Sequence, residues 1–268
     1  RGVQIHHLPP GPQAAAGGIK IGGCARKTLA GAGDPSSRLT SGGIRCFIAP
    51  MFLIVTGGEA PQGAFLRERA MAARKVIAAD RGAQYCLDAG VTPDLVVGDM
   101  DSLPADVLER LRQEGISLKV HPAMKDDTDT ALALEEAVRL GADEVELLAA
   151  TGDRFDHSLA NVHLLYSALR RKVNACIVSP MWRIFLVDGT ASIRGRKGAT
   201  ASLLPLTVEV SGISLTGFQW PLDDAAMHLG NPYGVSNVVT DDTASITVRE
   251  GVLIAIVSEP GCEPRDKG

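Results

Sequence analysis

Two hydrophobic rhythms divide this chain. From Met51 to about Lys172, short apolar runs recur with longer stretches between them. The runs Phe52-Leu-Ile-Val-Thr56, Lys75-Val-Ile-Ala-Ala79, Leu95-Val-Val97, 116–121 and 144–149 predict strands. The intervening segments predict helices over 61–73, from Ala83 to Asp88, and over 104–113, 128–140 and 156–169. Helix 128–140 carries Leu132, Leu134, Ala137, Val138 and Leu140, and Gly141 stops it; Gly90 and Gly115 stop the second and third helices. Strands alternating with helices of about 10–15 residues indicate a mostly parallel, Rossmann-like sheet covered on both faces.

After Lys172 the helical spacing disappears. Strand-like runs follow at 174–179, 182–187, 191–194, 200–204, 207–210, 212–217, 235–239, 243–248 and 252–257. Asp188-Gly189, Arg196-Lys197-Gly198, Ser211-Gly212 and Glu250-Gly251 punctuate them as turns. The expected fold class is therefore α/β followed by an all-β sandwich, with domains at 51–171 and 172–258. Residues 259–268 are polar, contain two prolines and read as a loose tail.

Residues 1–50 show neither rhythm. They are rich in Gly, Ala, Pro, Ser and Arg, and are expected to be a disordered or non-native extension ahead of a start near Met51. An arginine-rich, acid-poor targeting leader is the alternative. Composition otherwise changes little: 45% hydrophobic and 22% charged residues in a 268-residue chain are ordinary for a globular protein. Charge is more telling. The first fifty residues carry six Lys/Arg against one Asp, a net +5, so the rest carries −9 of the overall −4. An acidic body argues against a nucleic-acid surface. Five scattered cysteines without a Cys-x-x-Cys suggest buried thiols in a cytoplasmic protein rather than zinc ligands or disulfides. No apolar run approaches the roughly 18 residues of a membrane span.

The candidate chemistry lies just after the predicted strands. Asp80 follows the second, Asp99 and Asp101 the third, Asp126, Asp127 and Asp129 the fourth, and Asp156 the fifth. In an open parallel sheet, ligands bind beyond the carboxyl ends of the strands. In extended backbone, residues two apart share a side, so Asp99 and Asp101 can face one space. Two carboxylates about 4 Å apart repel by roughly 4 kcal/mol at an effective dielectric of 20. Solvation, a shared proton or a bound hard cation such as Mg²⁺ would each relieve that. Plainer roles compete: a solvated Asp-Gly turn for Asp99–Asp101, a helix cap for Asp127 or Asp156, a surface ion pair for Arg154, a core position for Trp220. The chain contains no P-loop, no Gly-x-Gly-x-x-Gly after a strand and no Gly-x-Ser-x-Gly elbow.

Taken together, Ala79-Asp80-x-Gly82-Ala83, Pro93-Asp94-x-x-x-Gly98-Asp99-x-Asp101-Ser102, Lys125-Asp126-x-Thr128-Asp129 and Gly152-x-Arg154-x-Asp156-His157-x-Leu159-Ala160-Asn161 resemble the thiamine pyrophosphokinase family in order and spacing. So do Ser202-Leu203-x-Pro205-Leu206, Gly217-x-x-Trp220-x-Leu222 and Ser236-Asn237 in the second half; the resemblance covers about residues 52–258. It implies a Mg²⁺-dependent homodimer that transfers pyrophosphate from ATP to thiamine, giving thiamine diphosphate and AMP, at a cleft shared between subunits. It implies a catalytic set of Asp80, Asp99, Asp101 and Asp129, with Asp99, Asp101 and Asp129 on the metal. Arg81, Asp126, Thr128 and Arg154 are implied on the ATP side. Ser102, Asp156, His157, Trp220, Ser236 and Asn237 are implied on the thiamine side. Arg81 and Asp153 stand where the family often has glycine. A pyrophosphokinase for another alcohol, such as a hydroxymethylpterin, and a non-catalytic nucleotide or thiamine diphosphate sensor are the alternatives.

Overall fold

The computed structural model describes residues 51–122, 127–231 and 233–259. The expected N-terminal extension, most of the expected tail, and Lys125 and Asp126 lie outside the described residues.

Alternating βα units open the fold: β1 (Phe52–Val55), α1 (Gly63–Ala72), β2 (Lys75–Ala79), α2 (Gly82–Asp88), β3 (Leu95–Gly98), α3 (Ala105–Gln113), β4 (Ser117–Val120), α4 (Asp129–Arg139), β5 (Glu144–Leu148), α5 (Phe155–Arg170) and β6 (Asn174–Val178). Strands follow to the end: β7 (Trp182–Val187), β8 (Thr190–Arg194), β9 (Thr200–Pro205), β10 (Glu209–Thr216), β11 (Leu222–His228), β12 (Gly234–Val238), β13 (Thr243–Thr247) and β14 (Leu253–Ser258). Ten of the strands form one sheet in the order β12-β9-β14-β7-β6-β5-β1-β2-β3-β4, and four form a second, β11-β10-β13-β8.

Strand β1 explains the layering. All four of its residues are buried, as expected of a strand covered on both sides. Leu53 and Val55 enter one core with Leu66 of α1, Ala83 and Cys86 of α2 and Leu111 of α3. Phe52 and Ile54 enter the other, with Leu132, Ala133 and Ala137 of α4 and Leu165 of α5. The first core continues into the second sheet through Ile193, Ile213, Leu215 and Ile246.

The sheet does not stop where the helices do. β6 pairs in parallel with β5, and β7 then pairs antiparallel with β6, so parallel and antiparallel parts share one ladder. A tight turn makes the reversal: the Ser179 hydroxyl accepts from the Met181 and Trp182 amides at 3.2 and 3.1 Å.

Two local expectations change. Ser211-Gly212 is no turn between strands; β10 runs through it with a register shift, and Gly212 takes φ 66°. The extra residue is accommodated as a bulge, which a glycine with positive φ allows. β11 carries Asp223 and Asp224, both exposed, so it lacks the apolar signal of a strand. Its pairing to β10 makes it one.

A buried charge cluster bridges the layers. Glu146 of β5 is 0% exposed; Arg69 of α1 donates to its Oε2 from Nε at 2.7 Å, and Arg183 of β7 lies 3.4 Å from its Oε1. Truncating one partner of such a set strands buried charge at a cost of about 3–5 kcal/mol. Glu146→Ala is therefore expected to lower unfolding free energy by about that amount, read from urea denaturation; a change within error would show that the arginines relax to solvent.

Candidate functional site

The strand order places a topological switch between β5 and β1. From β1 the chain steps outward to β2, β3 and β4, then crosses back to β5 on the other side. The crevice beyond the carboxyl ends at such a point is where open α/β sheets bind ligands. Here it is built from backbone. Thr56 N donates to Leu148 O at 2.9 Å, Gly58 N to Ala149 O at 2.8 Å and Glu59 N to Thr151 O at 2.7 Å. A Cβ on Gly58 would collide with Ala149 O and Thr151 O, and one on Gly152 would lie 2.8 Å from Glu59 N, so this close approach requires glycine. Asn161, buried on α5, donates to Ala150 O at 2.8 Å and fixes the same loop.

Strain collects at this rim. Asp80 after β2, Met100 after β3 and Ala149 after β5 all have positive φ, at 49°, 66° and 56°. Such conformations cost on the order of 1–3 kcal/mol each and concentrate at functional sites.

The carboxylates converge around Gly98, the last residue of β3. A Cβ there would stand 3.2 Å from Asp129 Oδ1 and 3.3 Å from Asp80 Cβ. The Ser102 hydroxyl donates to Asp80 Oδ2, while buried Asp80 Oδ1 has no hydrogen-bond partner. Burial pushes the Asp80 carboxyl above its ordinary range; bonds from the Ser102 hydroxyl and the Arg81 amide oppose this, and the charges of Asp129 and Asp99 add to it. Asp80, Asp99, Asp129 and Ser102 thus form one group.

Asp101 sits differently. The left-handed Met100 ends the extended backbone, so the two-residue alternation does not carry Asp99 and Asp101 to one face. Instead Asp99 Oδ1 accepts from the Asp101 backbone amide at 3.0 Å, closing an Asp turn with Asp101 exposed.

At α4 the N-cap is Thr128, whose hydroxyl accepts from Ala131 N at 3.2 Å; Asp127 is exposed outside the helix. Asp129 opens the helix, next to its positive end. Arg154 and Asp156 pair on the exposed start of α5, with Nη2 to Oδ2 at 2.6 Å, and His157 Nε2 lies 4.0 Å from the same oxygen. The guanidinium bond holds the Asp156 carboxyl below its usual range. Arg81 is exposed at the entrance to α2; a Cβ on Gly57 would lie 3.3 Å from its Cβ, so it borders the β1 turn.

Trp220, Ser236 and Asn237 meet elsewhere. With Leu215, Leu222, Tyr233, Gly234 and Val235 they line a cavity of about 310 Å³ where β12 meets β10 and β11. Trp220 is 55% exposed, so it is not a core tryptophan. Tyr233 and Val235 were missed as lining residues, because nothing in their spacing marks them.

Oxygen-only donors suit a hard cation. Among the described residues, no group of three or more His, Cys, Asp or Glu is disposed as a ready-made metal cage. A magnesium ion shared with phosphate oxygens needs only one or two carboxylates and keeps several waters. The unpartnered Asp80 oxygen amid mutually repelling carboxylates fits that demand.

The raised Asp80 pKa has a sign. A carboxyl whose folded pKa exceeds its unfolded 3.8 favours folding most below pH 3.8, and loses that advantage as pH rises through the folded value. Asp80→Asn is therefore expected to raise the melting temperature at pH 7 without divalent cations. The gain should vanish below about pH 4. Equal melting curves at both pH values would remove the burial cost assigned to Asp80.

Known proteins share this fold and its sequence pattern. The family model "Thiamin pyrophosphokinase, catalytic domain" matches residues 66–177, and "Thiamin pyrophosphokinase, vitamin B1 binding domain" matches 190–253. A thiamine pyrophosphokinase of Bacillus subtilis is 30% identical over 184 residues, covering 68% of this chain and 86% of that protein. Thiamine pyrophosphokinase 1 of Oryza sativa subsp. japonica is 30% identical over 166 residues, with 58% and 62% covered. The crystal structure of the Bacillus subtilis thiamine pyrophosphokinase superposes with TM-score 0.70 at 25% identity, over 78% of this chain and 99% of that one. That of the Geobacillus thermodenitrificans protein gives 0.67 at 30% identity, over 79% and 98%. Among the described residues, no helix is long and apolar enough to cross a membrane. With two family models matched in order and a relative at 30% identity covered over most of its length, the chain belongs to the thiamine pyrophosphokinase family.

Proposed function

We propose that the chain is an ATP-dependent thiamine pyrophosphokinase that converts thiamine and ATP to thiamine diphosphate and AMP. The observation that carries this reading is the pairing of two features in one chain. One is a carboxylate rim at a topological switch point; the other is an open aromatic cavity lined by Trp220 and Ser236.

In this reading ATP lies along the rim. The thiamine hydroxyl oxygen forms a bond to the β-phosphorus as the bond from that phosphorus to the α,β-bridging oxygen breaks, and AMP leaves. Mg²⁺, when bound, would supply charge neutralisation on the polyphosphate. Asp99, Asp101 and Asp129 would hold it, Asp101 by turning in from its exposed place on the Asp99 turn, and the unpartnered Asp80 oxygen beside them would complete the acidic group. Phosphoryl-type transfer of this kind depends mainly on positioning and charge stabilisation. Asp101 or Asp129 accepts the hydroxyl proton. Arg81, Asp126, Thr128 and Arg154 serve the ATP side; for Thr128 this comes in addition to its capping bond, and for Arg154 it requires release from Asp156. Asp156 and His157 orient the thiamine pyrimidine, and Trp220 stacks on a cationic ring system, an interaction worth about 0.5–2 kcal/mol.

The strand order supports a homodimer. The cavity adjoins β12, seven strand steps from β2 in the sheet order, which at ~4.8 Å per step is on the order of 30 Å. One small substrate cannot touch both within a single chain, so the cavity of one subunit would serve the rim of another. The free, buried Cys86 and Cys176, with thiol pKa pushed up to about 12 by burial, support a reducing, cytoplasmic setting.

The test is AMP and thiamine diphosphate formation by the full chain with ATP and Mg²⁺, with thiamine and hydroxymethylpterin compared. Thiamine-dependent AMP is expected; AMP with the pterin alone, or binding without AMP, would overturn the reading. Asp101→Ala should abolish turnover while leaving the fold intact by circular dichroism, and near-normal turnover would remove Asp101 from the metal. Trp220→Ala should raise the thiamine KM about tenfold, a loss of about 1.4 kcal/mol; an unchanged KM would take Trp220 out of the pocket.

A further inference from the structure

Trp220 is open to solvent, yet its backbone is tied down. It lies in the connection from β10 to β11, which runs back along the end of β12. Thr240 N donates to Gly217 O at 2.9 Å, Phe218 bridges Val239, and Gln219 N donates to Val238 O at 2.8 Å. Gly217 makes this path possible: it has φ 76°, and a Cβ there would lie 2.8 Å from Thr243 O.

At Trp220 the tie passes from backbone to side chain. Asn237 Oδ1 accepts from Trp220 N at 3.1 Å, and Asn237 Nδ2 donates to Trp220 O at 2.8 Å. Oδ1 also accepts from Val238 N at 2.9 Å. A side-chain amide offers two acceptor sites on oxygen and two N–H donors. Both acceptor sites of Asn237 and one of its donors are therefore spent inside the protein, and the residue is only 7% exposed. The preceding Ser236 has φ 62°, and its amide donates to Ser202 Oγ at 3.0 Å, so the bulge that aims Asn237 inward is itself held.

We infer that Asn237 is a positioning residue: its amide grips the Trp220 peptide in both directions and sets the indole over the cavity, so that what it does for the ligand is exerted through Trp220. This departs from the pocket contact that the sequence suggested for it. It rests on the reading that the cavity receives thiamine, but the grip itself does not. The geometry requires an amide. A carboxylate at 237 keeps both acceptor bonds and turns the donor into an anion facing Trp220 O. An aliphatic isostere abolishes all three bonds and leaves buried peptide groups unpaired.

Two measurements on the full chain test it. The first is a double-mutant cycle with Asn237→Asp and Trp220→Ala, assayed for KM and kcat. Asn237→Asp alone should raise the thiamine KM tenfold or more, with kcat within threefold and the ATP KM unchanged. Added to Trp220→Ala it should change the thiamine KM less than twofold, because what Asn237 does is exerted through Trp220. A full tenfold rise in the Trp220→Ala background would mark direct ligand contact and overturn the inference. The second needs no activity. The chain has two tryptophans, so in a Trp182→Phe background the emission is that of Trp220. Asn237→Asp and Asn237→Leu should both shift that emission and its quenching by acrylamide, at temperatures where circular dichroism shows the fold retained. Unchanged emission in Asn237→Asp would overturn the grip. Altered emission with an unchanged thiamine KM would support the grip and sink the thiamine reading of the cavity instead.

Discussion

Hydrogen bonding between β6 and β7 is the constraint on which the rest depends. β6 completes the parallel ladder and β7 reverses it, so a single sheet carries both halves of the molecule. A hinge between two separate domains would let the carboxylate rim and the aromatic cavity move toward each other. A continuous ladder does not, because bending it would break paired backbone groups that have no water to replace them. The buried Glu146, gripped from α1 and β7, reinforces the same seam. The rim and the cavity thus lie along one continuous sheet, and the proposed division of labour between two copies of the chain rests on that continuity.

The rim trades stability for chemistry. Three residues with positive φ and a set of mutually repelling carboxylates occupy the ends of adjacent strands. None of this favours the fold taken alone. Around it, the sheet interior is dense and mostly apolar, with the Glu146 cluster as the charged exception: β1 and β5 are buried along their whole length, and both faces are sealed by helices or by the second sheet. Cost is concentrated where a ligand can repay it, and the scaffold beneath is conventional.

Much of this was legible beforehand, and the failures have identifiable causes. The central parallel strands were readable, because burial on both faces favours an apolar run such as Phe52–Val55; β4, at the sheet edge and largely uncovered, carries a weaker signal. The gathering of Asp80, Asp99 and Asp129 was readable too, since these carboxylates follow strand ends and sheet topology brings strand ends together. What a sequence does not carry is which local conformation wins. Met100 looks like a spacer between two aspartates, yet its left-handed turn separates them. Gly212 looks like a turn, yet neighbouring pairing holds it inside β10. Asp127 looks like the cap of α4, yet the helix starts one residue later and Thr128 takes that place. The Ser236-Asn237 pair marks Asn237 for the thiamine side, but nothing in the spacing tells that its amide also bonds a peptide seventeen residues away. Strand β11 was invisible because its aspartates face solvent, and pairing rather than hydrophobicity defines it.

The irregular backbone of β12 has one more effect. Among the described residues β12 ends the long sheet, paired with β9 on one side and covered on the other only at its Val238 end by Gln219, and an exposed strand edge of that kind invites another chain to add itself. The register slips between Gly234 and Asn237, and the left-handed Ser236 twists the free edge out of a straight row of donors and acceptors. An incoming strand finds no regular template there, so the border nearest the aromatic cavity resists fibrous growth while staying accessible to small molecules.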